Sequence, residues 1–338
     1  MSEPIILGIE SSCDDTSAAI IKGNKILSNI AANQTIHIEY GGVVPELASR
    51  AHQQNMIPVV EKAITVANIQ QNDISAIGFT RGPGLLGSLL VGTSFSKSLA
   101  MALGIPLIEV NHLQAHILAH FIEDANPVPP QFPFLCLTVS GGHTMIVLVK
   151  DHFDMEIIGK TTDDAAGEAF DKIGKIFNLD YPAGPIIDRL SKEGDKDAFK
   201  FSKPKLENYD YSFSGIKTSV LYFIQKELRK NPNFIRENLN DLCASVQKSI
   251  VEILMEKLEK AAEDLKINQV AIAGGVSANS ALRAAMQNNV EKLGWDTYIP
   301  KFEYTTDNAA MIAMVAQLKF QRGEFTDLKT SAAARYEM

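Results

Sequence analysis

The chain has 338 residues, 46% of them hydrophobic, which is enough for two domains of ordinary size, each with its own core. Its balanced composition excludes a disordered or fibrous chain, and a formal net charge of −8 excludes a surface coated in basic residues. The opening Met1-Ser2-Glu3-Pro4 carries no basic leader, and no apolar stretch of ~18 residues is read anywhere, so neither export nor membrane insertion is expected.

Apolar alternation predicts strands over 5–10 and 16–21, separated by a polar turn at 11–15, and a third strand from Lys25 after a Gly23-Asn24 turn. Helical periodicity follows over 45–67 and 85–103, with strands at 75–80 and 106–110 between and after. The last strand feeds a helix bearing His112 and His116. The second half repeats this plan: strands at 134–140, 144–150 and 155–160, a helix over 165–178, an irregular basic stretch, a long helix over 239–265, a strand at 269–273, a helix over 279–290, a strand at 296–299 and a helix over 308–320. Repeated proline in Pro127-Val128-Pro129-Pro130-Gln131-Phe132-Pro133 prevents regular pairing. The boundary is placed there, giving an N-terminal lobe over 1–126 and a C-terminal lobe over 134–338 with a helical and basic insertion at 161–238.

A duplicated β-β-β-α-β-α-β-α unit is the architecture of the actin, heat-shock chaperone and sugar-kinase superfamily, an α/β fold of two ribonuclease-H-like domains with a nucleotide in an interdomain cleft. Three cysteines, Cys13, Cys136 and Cys243, lie far apart without a C-x-x-C pair, which argues against a disulfide framework and for a reducing cytoplasm.

His112 and His116 stack on one helical face about one turn apart and can share a metal ion. The pattern resembles His-Glu-x-x-His, but Leu113 replaces the general-base carboxylate, so water-activating proteolysis is not supported. In the duplication, Asp307 opens the equivalent helix of the second half, as third ligand or as helix cap. His120 lies two turns, roughly 12 Å, from His112 and is assigned to packing. Turns at 11–16 and 140–144 and the junction 273–279 offer hydroxyls and bare backbone amides suited to phosphate or adenosine. Gly82-Pro83-Gly84-Leu85-Leu86-Gly87 also fits the dinucleotide fingerprint G-x-G-x-x-G, which keeps a dehydrogenase as the second hypothesis, although the strand before it is not the first of its sheet. From Arg189 to Lys230 there are 10 Lys and Arg against 6 Asp and Glu, either a solvated face or a phosphate-binding one.

Ordered blocks over nearly the whole chain carry a resemblance. They are Gly8-Ile9-Glu10-Ser11-Ser12-Cys13-Asp14-Asp15-Thr16, residues 40–50, Arg81-Gly82-Pro83-Gly84, residues 112–116, 139–144 and 167–172, Ser212-Phe213-Ser214-Gly215, residues 274–279, and Thr306-Asp307-Asn308. With these the sequence resembles the tRNA adenosine N6-threonylcarbamoyltransferase family of bacteria and organelles, once misnamed an O-sialoglycoprotein endopeptidase. The resemblance implies that His112, His116 and Asp307 hold one divalent metal, iron(II) or zinc. It implies that Thr138, Val139, Ser140, Gly141, Gly142, Asp171, Gly184, Asp188 and Asn279 bind threonylcarbamoyl-AMP, and that Asp14, with Asp15 as alternate, accepts a proton in catalysis. It further implies tRNA as substrate, a catalytically inactive paralogue pairing through the N-terminal lobe, and a small ATPase; no membrane partner is expected. Departures are Asp15 where many relatives have Glu, Gln114 between the histidines, and Ala183 where a second glycine is common, which leaves Gly184 as the position read as needing bare backbone.

Overall fold

Two five-stranded sheets carry one strand order. The computed structural model describes residues 3–34, 37, 40–204 and 206–338. In the first sheet, β1 (Ile5–Glu10), β2 (Thr16–Lys22), β3 (Lys25–Ala32), β4 (Ala76–Gly82) and β5 (Leu107–Asn111) lie in the order β3-β2-β1-β4-β5. In the second, β6 (Phe134–Val139), β7 (Thr144–Asp151), β8 (Asp154–Lys160), β9 (Gln269–Ala273) and β10 (Asp296–Tyr298) lie in the order β10-β9-β6-β7-β8. The first three strands of each set are antiparallel because short turns join them, whereas β4 and β9 pair in parallel with β1 and β6 through helical crossovers. The central strands β1 and β6 are covered on both faces and accordingly read as nearly unbroken apolar runs.

The chain divides into two compact units, residues 1–129 with 300–338, and residues 130–299. The break falls in the proline-rich segment, as the sequence suggests. The C-terminal lobe expected over 134–338, however, ends at Ile299, and the remainder belongs to the first unit. Glycine is the reason. A Cβ on Gly8 of β1 would lie 2.6 Å from the carbonyl oxygen of Ala309 and from the amide of Ala313, and one on Gly78 of β4 would lie 2.4 Å from Cβ of Ala316. These gaps seat the helix Ala309–Gln321 flat on the first sheet, and Ala309 to Gln317 are all buried.

In the second unit the helix Leu239–Leu265 supplies much of the core, sharing one buried cluster with Phe170, Ile187, Phe213 and Ile216 among others. The basic stretch read as irregular contains, besides the single turn Phe234–Glu237, the longer helices Ala183–Leu190 and Ser214–Leu228. Their N-terminal amides are satisfied by carboxylates far upstream, which no local pattern announces. Asp171 accepts from Ala183 at 2.8 Å; Asp163 accepts from the amides of Phe213 and Ser214 at 2.7 and 3.2 Å and from both flanking serine hydroxyls. Charge counting misses pairs that leave this stretch in both directions, since Lys203 within it pairs with Glu252 outside, and Asp197 within it pairs with Lys248 outside. Lys205 lies outside the described residues.

One helix departs from the sequence reading of apolar runs. Leu86–Leu103 is, by length and composition, long and apolar enough to cross a membrane, with a mean hydropathy of 1.3 over 18 residues. Its buried side includes Ser88, Gly92, Thr93 and Ser96, small residues that let it approach the first sheet, where Gly92 abuts Ser11. All three cysteines are free.

The close approach at β1 sets a test. Gly8→Ala should destabilise the protein by about 2 kcal/mol or more through overpacking against helix backbone, while Gly215→Ala, whose Cβ meets nothing within 4 Å, should shift stability by less than about 0.5 kcal/mol. Urea unfolding midpoints measure both; equal midpoints would contradict the packing argument.

Candidate active site

The helix His112–Leu118 begins where β5 ends, and Asn111 caps it by accepting from the amides of Leu113 and Gln114. Asp307 comes from the turn before Ala309–Gln321. That helix is capped by Asn308, which accepts from Met311, so Asp307 is not the cap and its carboxylate is available to face the histidines. Nε2 of His116 lies 3.1 Å, and Nε2 of His112 3.4 Å, from the same Oδ1 of Asp307. Ligands about 2.1 Å from one tetrahedral ion sit roughly 3.4 Å apart. The three donor atoms all fall within 4.8 Å of one another, so two imidazoles and a carboxylate fit a single divalent cation such as iron(II) or zinc. His112, His116 and Asp307 all belong to the first unit, and the expected origin of Asp307 in the opposite lobe is corrected. His120 is buried with Asn126 as its partner at 3.0 Å, in the packing role its distance implies.

The site's electrostatics are those of an acid cluster holding protons. Burial alone disfavours an imidazolium at His112, but Asp307 and Glu10 outweigh it and hold its pKa well above the ordinary 6.5. Burial likewise opposes the charge on Glu10 and Asp307, and His112 overrides it in both, so both stay below the ordinary carboxylate range. Asp15 behaves oppositely: burial, then the charges of Asp14, Asp307 and Glu10, raise it to about 7. Burial and Asp14 also push the Cys13 thiol far up, which excludes a thiolate nucleophile.

Asp14 and Asp15 are half-buried in the turn after β1. That turn is pinned by His52, whose Nδ1 lies 2.7 Å from the Thr16 hydroxyl and whose Nε2 lies 3.0 Å from the Cys13 carbonyl. The Ser88 hydroxyl and the Leu85 amide donate into the same turn. Sequence reasoning singled out neither His52 nor Glu10. The available signal for Glu10 was an acid closing an otherwise apolar strand.

In the second unit the nine positions implied to bind adenylate are linked through the turns after β6 and β9. Thr138 and Val139 are buried in the end of β6. The Ser140 carbonyl accepts from Gly167, and a Cβ on Gly274, at φ 86°, would lie 2.5 Å from the Val139 carbonyl oxygen. Gly141 and Gly142 are exposed, but the amides of Gly142 and His143 already donate to Ser140 Oγ at 3.3 and 3.1 Å, so the turn is less bare than its sequence suggests. Asn279 caps the helix Ser280–Leu293 and donates to Gln247 at 2.7 Å; Asp188 accepts from the amide and hydroxyl of Ser280. Asp171, its pKa raised chiefly by burial, holds Ala183 as described above. A Cβ at Gly184 would touch only Phe170 at 3.9 Å, so the fold itself does not require glycine there. The fingerprint at 82–87 is no phosphate cradle: Cβ atoms on Gly82 and Gly84 would strike the carbonyl oxygens of Ala333 and Ser12 at 1.9 and 2.4 Å, and Glu109 is paired with Arg81.

These charges fix a sign. His112 contributes stability that is complete below 6.5 and lost as pH rises through its raised folded value, and Asp15 contributes a loss between 3.8 and about 7. Glu10 and Asp307 contribute stability present above 4.5 and 3.8 and lost only as pH falls through their lowered values. The metal-free protein should therefore melt at lower temperature as pH rises through about 7, and zinc, which displaces the protons, should oppose that fall. A metal-free melting temperature that climbs there would contradict the proton-holding cluster.

Comparison with known proteins bears on this geometry. The description "TsaD: tRNA N6-adenosine threonylcarbamoyltransferase" matches residues 25–314. A tRNA N6-adenosine threonylcarbamoyltransferase of Riemerella anatipestifer is 81% identical over 338 residues, covering 100% of this chain and 99% of the relative. Relatives of the same description from Christiangramia forsetii and Porphyromonas gingivalis are 60% and 58% identical, covering 98% and 95% of both chains. Among solved structures, full-length HypF superposes with a TM-score of 0.62 at 12% identity, over 96% of this chain and 48% of that one. The ROK hexokinase of Thermus thermophilus gives 0.51 at 15%, over 94% and 100%. At such identities these likenesses speak for the fold alone, which is that of the actin and sugar-kinase superfamily. The chain belongs to the tRNA N6-adenosine threonylcarbamoyltransferase family.

Proposed function

We propose that this transferase takes the threonylcarbamoyl group from threonylcarbamoyl-AMP and places it on N6 of the adenosine just 3′ of the anticodon, in tRNAs that read codons beginning with A. The observation that carries the reading is the convergence of His112, His116 and Asp307 on one point, in a chain of this family. A dehydrogenase is disfavoured by the filled glycine turn at 82–87 and a peptidase by Leu113 between the histidines.

AMP is already a good leaving group, whereas an exocyclic adenine amine is a poor nucleophile. The barrier falls through alignment and through stabilisation of charge developing on the carbamoyl oxygen. A divalent ion held by His112, His116 and Asp307, iron(II) or zinc, supplies Lewis acidity toward ligand oxygens. The 140–142 turn, with Asp171, Gly184, Asp188 and Asn279, forms the adenylate seat. Ser140 Oγ there is the group that a phosphate oxygen displaces from the amides of Gly142 and His143. Asp14 or Asp15 accepts the amine proton, and a carboxylate poised at about 7 suits Asp15 to the task near neutral pH.

The tRNA is a polyanion, and the stretch from Arg189 to Lys230, with Lys200 in it, is the face we assign to its approach. Because the chain is acidic overall, partner proteins complete the tRNA platform; the family resemblance implies that these are a catalytically inactive paralogue, pairing through the N-terminal lobe, and a small ATPase, and the assembly is assigned to the cytoplasm.

Two measurements test the reading. His112→Ala combined with His116→Ala should lose bound metal and slow single-turnover transfer on the order of 10²-fold or more; full metal content in that variant would refute the ligand assignment. Transfer by the complete assembly should accelerate as pH rises through about 7, and Asp15→Asn should abolish that limb. If the limb survives in Asp15→Asn and vanishes in Asp14→Asn, the proton goes to Asp14.

A further inference from the structure

Glu10 closes β1 with its side chain 0% exposed, outside the ligand set. Three donors converge on its carboxylate. Oε1 accepts from the Ser12 amide, while Oε2 accepts from the Thr80 hydroxyl at 2.6 Å and lies 3.0 Å from Nδ1 of His112. An ionised carboxylate has no proton to give, so Nδ1 must carry the proton in that contact. When the ring gives up its second proton to a cation, its lone pair is then on Nε2, the atom that faces Asp307. His116 has no such support, since its Nδ1 is buried without a hydrogen-bond partner among the described residues. The orientation of the pair therefore enters through His112.

We propose that Glu10 is a positioning residue that locks the Nδ1–H tautomer and the rotamer of His112, and thereby sets the affinity of the centre for its ion; the proposal rests on the metal-centre reading above. Glutamine cannot substitute. If its carbonyl faces His112, its NH2 meets the Ser12 amide, donor against donor. If its NH2 faces His112, Nδ1 becomes the acceptor and the ring proton moves to Nε2, into the space of the ion. The Ser12 hydroxyl, 3.2 Å from the same Nδ1, is the competing orienting group, but it can donate as well as accept and imposes no tautomer.

The test is cobalt(II) alone, titrated into the metal-free full chain and followed by its visible absorption. Glu10→Gln should weaken binding by about 10- to 100-fold and change the absorption band, whereas Ser12→Ala should stay within about threefold of the parent. Circular dichroism of the metal-free variants establishes that each is folded. In the zinc form of the unaltered protein, nitrogen NMR should place the His112 proton on Nδ1 and zinc on Nε2, a result independent of whether any variant folds. Parent-like affinity and spectrum in Glu10→Gln would overturn the proposal, as would zinc on Nδ1. Failure of the unaltered chain to bind either ion would overturn the metal-centre reading itself, and this proposal with it.

Discussion

One carboxylate oxygen of Asp307, shared by Nε2 of two histidines, is the interaction to which the first unit is built. It requires a helix from the far end of the chain, Ala309–Gln321, to lie on the first sheet closely enough to bring residue 307 to the end of β5. The approach is possible because β1 and β4 present Gly8 and Gly78 where any side chain would meet helix backbone or Ala316. Burying that alanine-rich helix offsets the cost of gathering four acids, Glu10, Asp14, Asp15 and Asp307, around a small volume. The residual charge is held by protons on His112 and Asp15 when no cation is present.

The same local device orients each functional turn. Asn111, Asn279 and Asn308 each precede a helix and satisfy its first amides, which frees the neighbouring residue for chemistry. At Asn308 this separates two neighbouring roles: the asparagine caps the helix, and the carboxylate of Asp307 is left to face the two histidines. Asn279 is more fully committed, with both ends of its amide engaged, so any ligand it meets must exchange for Gln247 or a helix amide. Asp171 and Asp188 also hold helix starts, so the positions of their carboxylates are coupled to the order of Ala183–Leu190 and Ser280–Leu293.

The turn between β1 and β2 is held by the same kind of contact. His52, Ser88 and Leu85 bind the carbonyls of Ser12 and Cys13 and the hydroxyl of Thr16, so Asp14 and Asp15 are presented on a clamped turn. A clamped, half-buried pair of adjacent carboxylates cannot relax its repulsion by moving apart. Burial chiefly, and then this repulsion, raise the proton affinity of Asp15 toward the range useful to a general base.

Strand and helix positions in both halves, the duplicated order, the break in the proline-rich segment and the four-residue spacing of the histidines were legible in the amino-acid order, because each depends on periodicity or punctuation within a few residues. So was membership in a family, through many short blocks in sequence. The helices Ala183–Leu190 and Ser214–Leu228 were not, since Asp171 and Asp163 cap them from a distance. Nor was the role of Glu10, whose meaning depends on Thr80 and His112 reaching it from other strands and helices. The sequence by itself determined which residues are able to ligate, cap and bend. The tertiary structure alone decided that Asp307 joins the histidines within one unit and that Asn308 takes the cap, because both follow from the seating of one helix on a sheet more than two hundred residues away in the chain.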